Sequence, residues 1–173
     1  QQYFQETILK IKDVHSEIRI DAEYYHALCA VELFHSNAEA LLKKFIETHP
    51  ESVHKVSAYF YLAKFQFRKK KYEDVIDYLS FVDPLDLKQE ERDEYHFKKG
   101  YAHFQIDEFD KAAKSFYEIK DTDNLYVSAA RYYYAHISYQ DGKYQTASEN
   151  FNKLANDPQF GSIVPYYLTQ IYY

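Results

Sequence analysis

The chain has 173 residues, of which 46% are apolar and 28% charged, the balance of a folded globular protein rather than a disordered one. Its net charge of −6 argues against nucleic acid as a partner, because a phosphate backbone requires a basic surface. No apolar run approaches the roughly 20 residues that a membrane helix needs, so we expect no membrane insertion. The single cysteine, Cys29, excludes an internal disulfide.

Apolar residues recur at helical spacing along the whole chain, and the sequence carries no strand signals. Residues 1–17 are predicted to form one helix, the second helix of a repeat that begins upstream. Helix pairs are predicted at 21–50, 51–84, 89–121 and 125–158, followed at 163–173 by the first helix of a truncated pair. We therefore expect one all-α array, and the absence of methionine fits a piece trimmed from a longer array at both ends.

The second helix of each pair carries a recurring apolar pattern. At intervals of 37 and 35 residues it reads Tyr72, Val75 and Leu79, then Phe109, Ala112 and Phe116, then Tyr144, Ala147 and Phe151. The preceding helix has a small residue at the same intervals, Ala63, Gly100 and Ala135. Counting back 34 residues from Ala63 assigns Cys29 to this position. The small residue is expected where the two helices of a pair touch.

The period and the pattern resemble the tetratricopeptide repeat (TPR) family, a helix–turn–helix unit of about 34 residues. The residues that match are Gly100, Phe109, Ala112, Phe116, Ala135, Gly142, Tyr144, Ala147, Phe151 and Pro158. Two features depart from the family: the first turn, residues 34–37, lacks glycine, and Val75 stands where alanine is usual. The resemblance implies a right-handed superhelical solenoid of antiparallel helix pairs.

A second resemblance rests on the short stretch FGSIVPYYLTQIYY, residues 160–173. It is similar to a stretch of large exported TPR proteins in bacterial cell envelopes. This similarity implies a periplasmic or outer-membrane-associated location.

Catalytic and metal-binding motifs are missing from the sequence. It contains no glycine-rich phosphate loop, no HExxH, no GxSxG and no Cys/His set at metal-ligand spacing. His96 and His103 can share a helix face, but no third ligand accompanies them, so the histidines are interpreted as surface or groove residues. Cys29 is interpreted as a buried packing thiol, because no base lies near it in the sequence. We expect no enzyme activity, no metal and no cofactor.

The resemblance implies that the first helices line a concave groove and that side chains three before, one after and four after the small residue face it. These positions hold Phe60, Lys64, Phe67, Phe97, Tyr101, Phe104, Tyr132, His136 and Tyr139, and in the truncated pair Tyr166, Gln170 and Tyr173. We predict that Phe60, Phe67, Phe97, Phe104, Tyr132 and Tyr139 lie on one continuous concave surface, whereas Leu79, Phe116 and Phe151 lie inside the pairs. Of these groove positions only Lys64 suits a carboxylate clamp of the kind that TPR proteins use.

Two classes of function stay open, with a third beside them. The aromatic groove favours a protein-interaction scaffold that holds a peptide, a helix or a folded partner, since exposed aromatic surfaces mark interaction sites. Alternatively the chain is a structural spacer within a longer array, in which case the groove side chains are buried against neighbouring helices. Tyrosines also stack on sugars, which makes glycan binding the third class. Weak self-association through the uncapped ends is expected as well.

Overall fold

The computed structural model describes residues 2–173 and is all-α. Within these residues it contains ten α-helices and no strand. In chain order the helices are α1 (Gln2–Lys10), α2 (Glu17–Glu32), α3 (Ala38–Thr48), α4 (Lys55–Arg68), α5 (Tyr72–Leu79), α6 (Gln89–Gln105), α7 (Phe109–Tyr117), α8 (Val127–Gln140), α9 (Tyr144–Asn152) and α10 (Val164–Tyr172). The predicted all-α class is confirmed, and no helix in the described residues is long and apolar enough to cross a membrane.

The chain divides into two compact units, Gln1–Leu87 and Lys88–Tyr173. In the first unit each of the helices α1 to α5 packs against the next one along the chain, and in the second unit the helices α6 to α10 do the same. A single 3-10 turn, Pro84–Asp86, closes the first unit. This sequential packing is the arrangement of a helical repeat, in which each element contacts its neighbours in sequence.

The first helix is shorter than the predicted span of 1–17, and the second begins earlier than predicted, at Glu17 rather than Asp21. Between them the Asp13 carboxylate accepts a hydrogen bond from the backbone N–H of His15 at 3.0 Å. Such local bonds compete with the helical backbone ladder and favour a turn. Arg19 then donates to the carbonyl of Ile11 at 2.7 Å, so a side chain from α2 satisfies a backbone group beyond the end of α1.

The first helices of the four pairs, α2, α4, α6 and α8, each end in the same hydrogen-bonded turn. A residue with positive φ follows the helix, and its N–H donates to the carbonyl three residues earlier, while the next N–H donates to the carbonyl five residues earlier. This pair of bonds is the Schellman motif. The four positive-φ residues are Phe34, Lys70, Asp107 and Gly142, at intervals of 36, 37 and 35 residues. The turn therefore recurs with the period of the repeat.

Only one of these four turns uses glycine, the residue that adopts positive φ without steric cost. We expect Lys70→Gly to raise the free energy of unfolding by about 0.5–1 kcal/mol, because the left-handed conformation costs a side-chain-bearing residue roughly 1–2 kcal/mol. Chemical denaturation measures the change. The reciprocal control is Gly142→Ala, where nothing lies within 4 Å of an added Cβ and only the backbone is tested. A loss of stability in Lys70→Gly would contradict the expectation.

Each second helix, together with the residues just after it, buries three side chains at i, i+4 and i+7. The sets are Ala38, Leu42 and Phe45, then Val75, Leu79 and Val82, then Ala112, Phe116 and Ile119, then Ala147, Phe151 and Leu154. The predicted interior placement of Leu79, Phe116 and Phe151 is confirmed, since all three side chains are fully buried. The first set had not been predicted. Its members keep the spacing of 37 residues to the second set, so the first pair is regular in its interior.

The small residues predicted in three of the first helices are buried, but the one predicted in the earliest of these helices, Cys29, is misplaced. Ala63, Gly100 and Ala135 are buried and lie seven residues before Lys70, Asp107 and Gly142. The same offset from Phe34 leads to Ala27, which is buried, and not to Cys29. Cys29 is partly exposed, so its interpretation as a buried packing thiol is wrong. The error arises because the first interval is 36 residues, two more than the 34 used to place Cys29.

Candidate functional site

The nine predicted groove side chains are less accessible than an open groove requires. Phe60 is fully buried in the first unit, so its prediction as an accessible groove residue is wrong. The other eight, all within the described residues, are partly buried and none is exposed. Lys64, Phe67 and Phe60 belong to the first unit and the remaining six to the second. The single continuous surface through both units stays a prediction.

Three of the four residues that lie three before the small position, Tyr24, Phe97 and Tyr132, stack on an aromatic ring that precedes the next first helix. In the second unit Phe97 stacks on Tyr126, and Tyr132 stacks on Phe160, each with ring centroids 4.7 Å apart and planes 16° apart. In the first unit Tyr24 stacks on His54 at 4.2 Å and 4°. Tyr24 lies three residues before Ala27, so the three contacts are equivalent. These rings therefore join successive pairs and are not free to hold a partner.

The remaining groove aromatics of the second unit are also engaged between helices. Phe104 lies 5.4 Å from Phe109 and 5.0 Å from Tyr133. Tyr101 meets Tyr133 edge to face at 5.4 Å, and Tyr139 meets Tyr167 at 5.5 Å. Such contacts prefer offset or edge-on geometry and stabilise packing beyond simple burial. The aromatic side chains of the first helices thus pack against one another between the helices of this unit.

His136 has a specific role in this packing. The hydroxyl of Tyr167 on α10 hydrogen-bonds to Nδ1 of His136 at 3.0 Å. Burial lowers the pKa of His136 and raises that of Tyr167 well above its usual range, so both groups are neutral near pH 7. The pair fastens α10 to α8 and leaves no charged group there for a ligand.

Lys64, the predicted clamp residue, lies over aromatic rings of its own helix. Its Nζ is 4.7 Å from the ring centroid of Tyr61 and 5.6 Å from that of Phe60. Cation–π contacts of this kind hold the ammonium group close to the helix surface.

Histidine–carboxylate pairs are the other polar feature that the sequence did not reveal. His49 bonds to Glu23 at 2.8 Å, and His103 bonds through Nδ1 to Glu108 at 2.7 Å. Both histidines are buried, so their interpretation as surface or groove residues is wrong. Burial lowers the pKa of His103, an effect that Glu108 partly offsets. Burial raises the pKa of Glu23, but its bonds to His49 and Arg19 outweigh this and lower it overall. The pairs tie helices to adjacent turns, and residues 2–173 hold no group of three potential ligands arranged for a metal ion.

The side of α2 that faces away from most of its buried residues carries accessible apolar side chains. We call this the outer face of α2, which comprises Glu17, Ile18, Asp21, Tyr25, Leu28, Cys29, Glu32 and Leu33. A pocket of about 370 Å³ lies on it, lined by Tyr25, Leu28, Cys29, Glu32 and Leu33. Ile18 is 65% exposed and Leu33 is 60% exposed. Since the opposite side of α2 is packed in the interior, this helix is apolar on two sides.

The outer face is rigidly supported from behind and from one flank. Tyr24, Ala27, Ala30 and Val31 of α2 are buried on its other side, while Ala22 is buried on the outer face itself, between Ile18 and Tyr25 along the helix. Phe4 of α1 stacks on Tyr25 with centroids 5.7 Å apart. A helix that is apolar on two sides is stabilised by a neighbour on each side, because apolar surface left in water is unfavourable. The lining of this pocket is more apolar than that of two other pockets of the first unit.

Comparison with known proteins adds no family to this picture. The chain matches no protein-family model, and no curated protein matches its sequence.

Proposed function

We propose that the chain is a segment of a TPR-type helical array that acts as a protein-interaction scaffold, with the outer face of α2 as the surface that holds a partner. The accessible apolar pocket on this face carries the proposal, since exposed apolar patches on folded proteins mark interaction sites. The TPR assignment is supported by the packing of each short helix against the next one along the chain, the four equivalent turns and the recurring buried sets.

The pocket suits one apolar side chain of a peptide or helix. Its apolar lining consists of Tyr25, Leu28 and Leu33, and Cys29 lines it on the same side of the helix. Side chains at i, i+3, i+4, i+7 and i+8 share one helical face, so these residues present a continuous strip to a partner. Tyrosine and leucine anchors in such strips supply a large share of binding energy when water is excluded.

Cys29 provides the test because it is the only cysteine of the chain and lies in the pocket. Peptides selected from a displayed library for binding to the chain are expected to slow the modification of Cys29 by a small thiol reagent. Leu33→Ser is expected to weaken binding by about tenfold, the loss of roughly 1.4 kcal/mol of apolar burial. Leu85→Ser is the matched control, since Leu85 is also exposed in the first unit but lies outside the pocket. Selected peptides that leave the reaction of Cys29 unchanged would overturn the proposal.

A structural spacer is the second candidate. The packing of Phe97, Tyr101, Phe104, Tyr132 and Tyr139 between helices of the second unit favours it, because those side chains are committed to the array itself. Under this alternative no peptide binds the outer face of α2, and the same thiol-protection experiment separates the two.

A further inference from the structure

The exposed residues of α2 and its C-cap are of only two kinds. Glu17, Asp21 and Glu32 are acidic, and Ile18, Tyr25 and Leu33 are apolar. The single arginine of this helix, Arg19, is partly buried and bonded to Glu23 at 2.9 Å. Within the described residues α2 therefore presents carboxylates and apolar groups to the solvent but no exposed cation.

These residues share one half of the helix surface. With about 3.6 residues per turn, positions 17, 18, 21, 25, 28, 29, 32 and 33 fall on the same side of α2. Glu17 and Glu32 stand at the two ends, which are roughly 22 Å apart at about 1.5 Å per residue. The apolar residues Tyr25, Leu28 and Leu33 lie between Asp21 and the end of the helix.

Neighbouring elements place His54 and Arg68 beside this face but leave its two terminal carboxylates, Glu17 and Glu32, without an ion pair. His54 bonds to Asp21 at 2.8 Å, while Glu17 and Glu32 form no ion pair with any residue in 2–173. Arg68 lies at the carboxyl end of α2, where its guanidinium donates to the carbonyl of Val31 at 3.0 Å and lies over the Phe34 ring. Its charge thus complements the negative end of the helix dipole.

We propose that the partner held on the outer face of α2 is a basic amphipathic helix, and this inference rests on the proposed function of that face. Leucine-type side chains of the partner fill the pocket, and lysine or arginine residues near its two ends lie opposite Glu17 and Glu32. Charge complementarity carries the choice, because carboxylates flank the apolar strip at both ends. An acidic partner would bring like charges together, which costs several kcal/mol at an interface.

A helix fits this face better than an extended segment. Strand addition requires an exposed sheet edge, and the described residues contain no strand. Helix-on-helix packing instead interdigitates rows of side chains spaced three and four residues apart, the spacing of Tyr25, Leu28, Cys29 and Glu32 on α2. About four turns of a partner helix span the distance between the terminal carboxylates.

The probe is a synthetic peptide of about 16 residues with leucines along one helical face and lysines at both ends. A second peptide keeps the leucines and carries glutamate in place of every lysine. We expect the lysine peptide to perturb the backbone amide signals of α2 in an NMR titration and to bind at least about tenfold more tightly than the glutamate peptide. Rising salt concentration should reduce the difference in affinity between the two peptides, since salt screens exposed charges.

Charge reversal locates the site. Glu17→Lys with Glu32→Lys is expected to reverse the preference for the two peptides. Glu47→Lys with Glu73→Lys, two exposed acidic residues on α3 and α5, makes the same change in net charge and is expected to leave the preference intact. Equal weakening by both pairs would show unspecific attraction and overturn the inference, as would equal binding of the two peptides or binding of neither. Library peptides that protect Cys29 but are acidic would overturn the charge assignment and leave the proposed function standing.

Discussion

Gly100→Leu is expected to lower the free energy of unfolding of the Lys88–Tyr173 unit by about 1–3 kcal/mol. A Cβ atom at Gly100 would lie 2.9 Å from Cε1 of Phe116, 3.0 Å from Cδ1 and 3.1 Å from Cζ. The Phe116 ring cannot retreat easily, because it is fully buried and stacks on Tyr133 at 5.3 Å. The two helices α6 and α7 must therefore separate to admit a larger side chain.

Amide hydrogen exchange measures where the damage falls. Protection should decrease along α6 and α7, since repeats respond mainly through their immediate neighbours. The double variant Gly100→Leu with Phe116→Ala is the control, because the leucine then occupies space that the ring has left. Its loss of stability should be smaller than the sum of the two single losses, a coupling expected of residues in contact. Strict additivity, or unchanged protection over Gln89–Tyr117, would contradict this placement of Gly100.

Much of the fold follows from the spacing of a few residues in the sequence. Leu79, Phe116 and Phe151 recur with an aliphatic residue, valine or alanine, four positions earlier, and burial of one face of a short helix requires this pattern. The set Ala38, Leu42 and Phe45 escapes notice because the first turn is one residue shorter. Phe34 does not indicate a turn in the sequence, since a bulky aromatic residue rarely adopts the positive φ that it has here.

The groove was less predictable for a physical reason. Side chains three before the small residue can face either a groove or the next pair, and the choice depends on what precedes the following helix. His54 and Tyr126 lie nine residues before Ala63 and Ala135, and Phe160 lies nine residues before Thr169, which follows Ala135 by 34 residues. Each ring covers one such side chain in the structure. Because Cys29 is predicted to be buried, the sequence does not indicate that the outer face of α2 is accessible.

Tyr167→Ala is expected to release α10 from the second unit at a cost of about 3–5 kcal/mol, the range for removing a buried aromatic side chain. The Tyr167 ring stacks on Phe151 with centroids 4.5 Å apart and planes 10° apart, and its hydroxyl bonds to His136. Because α10 has nine residues, it is marginal in water and depends on this packing. Loss of exchange protection confined to Val164–Tyr172 would report its release.

The matched control is Tyr166→Ala, since Tyr166 is the preceding residue of the same helix and is 63% exposed. Its effect should remain within about 0.5 kcal/mol, as expected for a surface position. Tyr167→Phe separates the two contributions of the buried tyrosine. It keeps the stacked ring but leaves Nδ1 of His136 without the phenol, a loss of about 1 kcal/mol. If Tyr166→Ala and Tyr167→Ala reduced protection of α10 equally, the stack on Phe151 would not be what holds this helix, because only one of the two rings makes it.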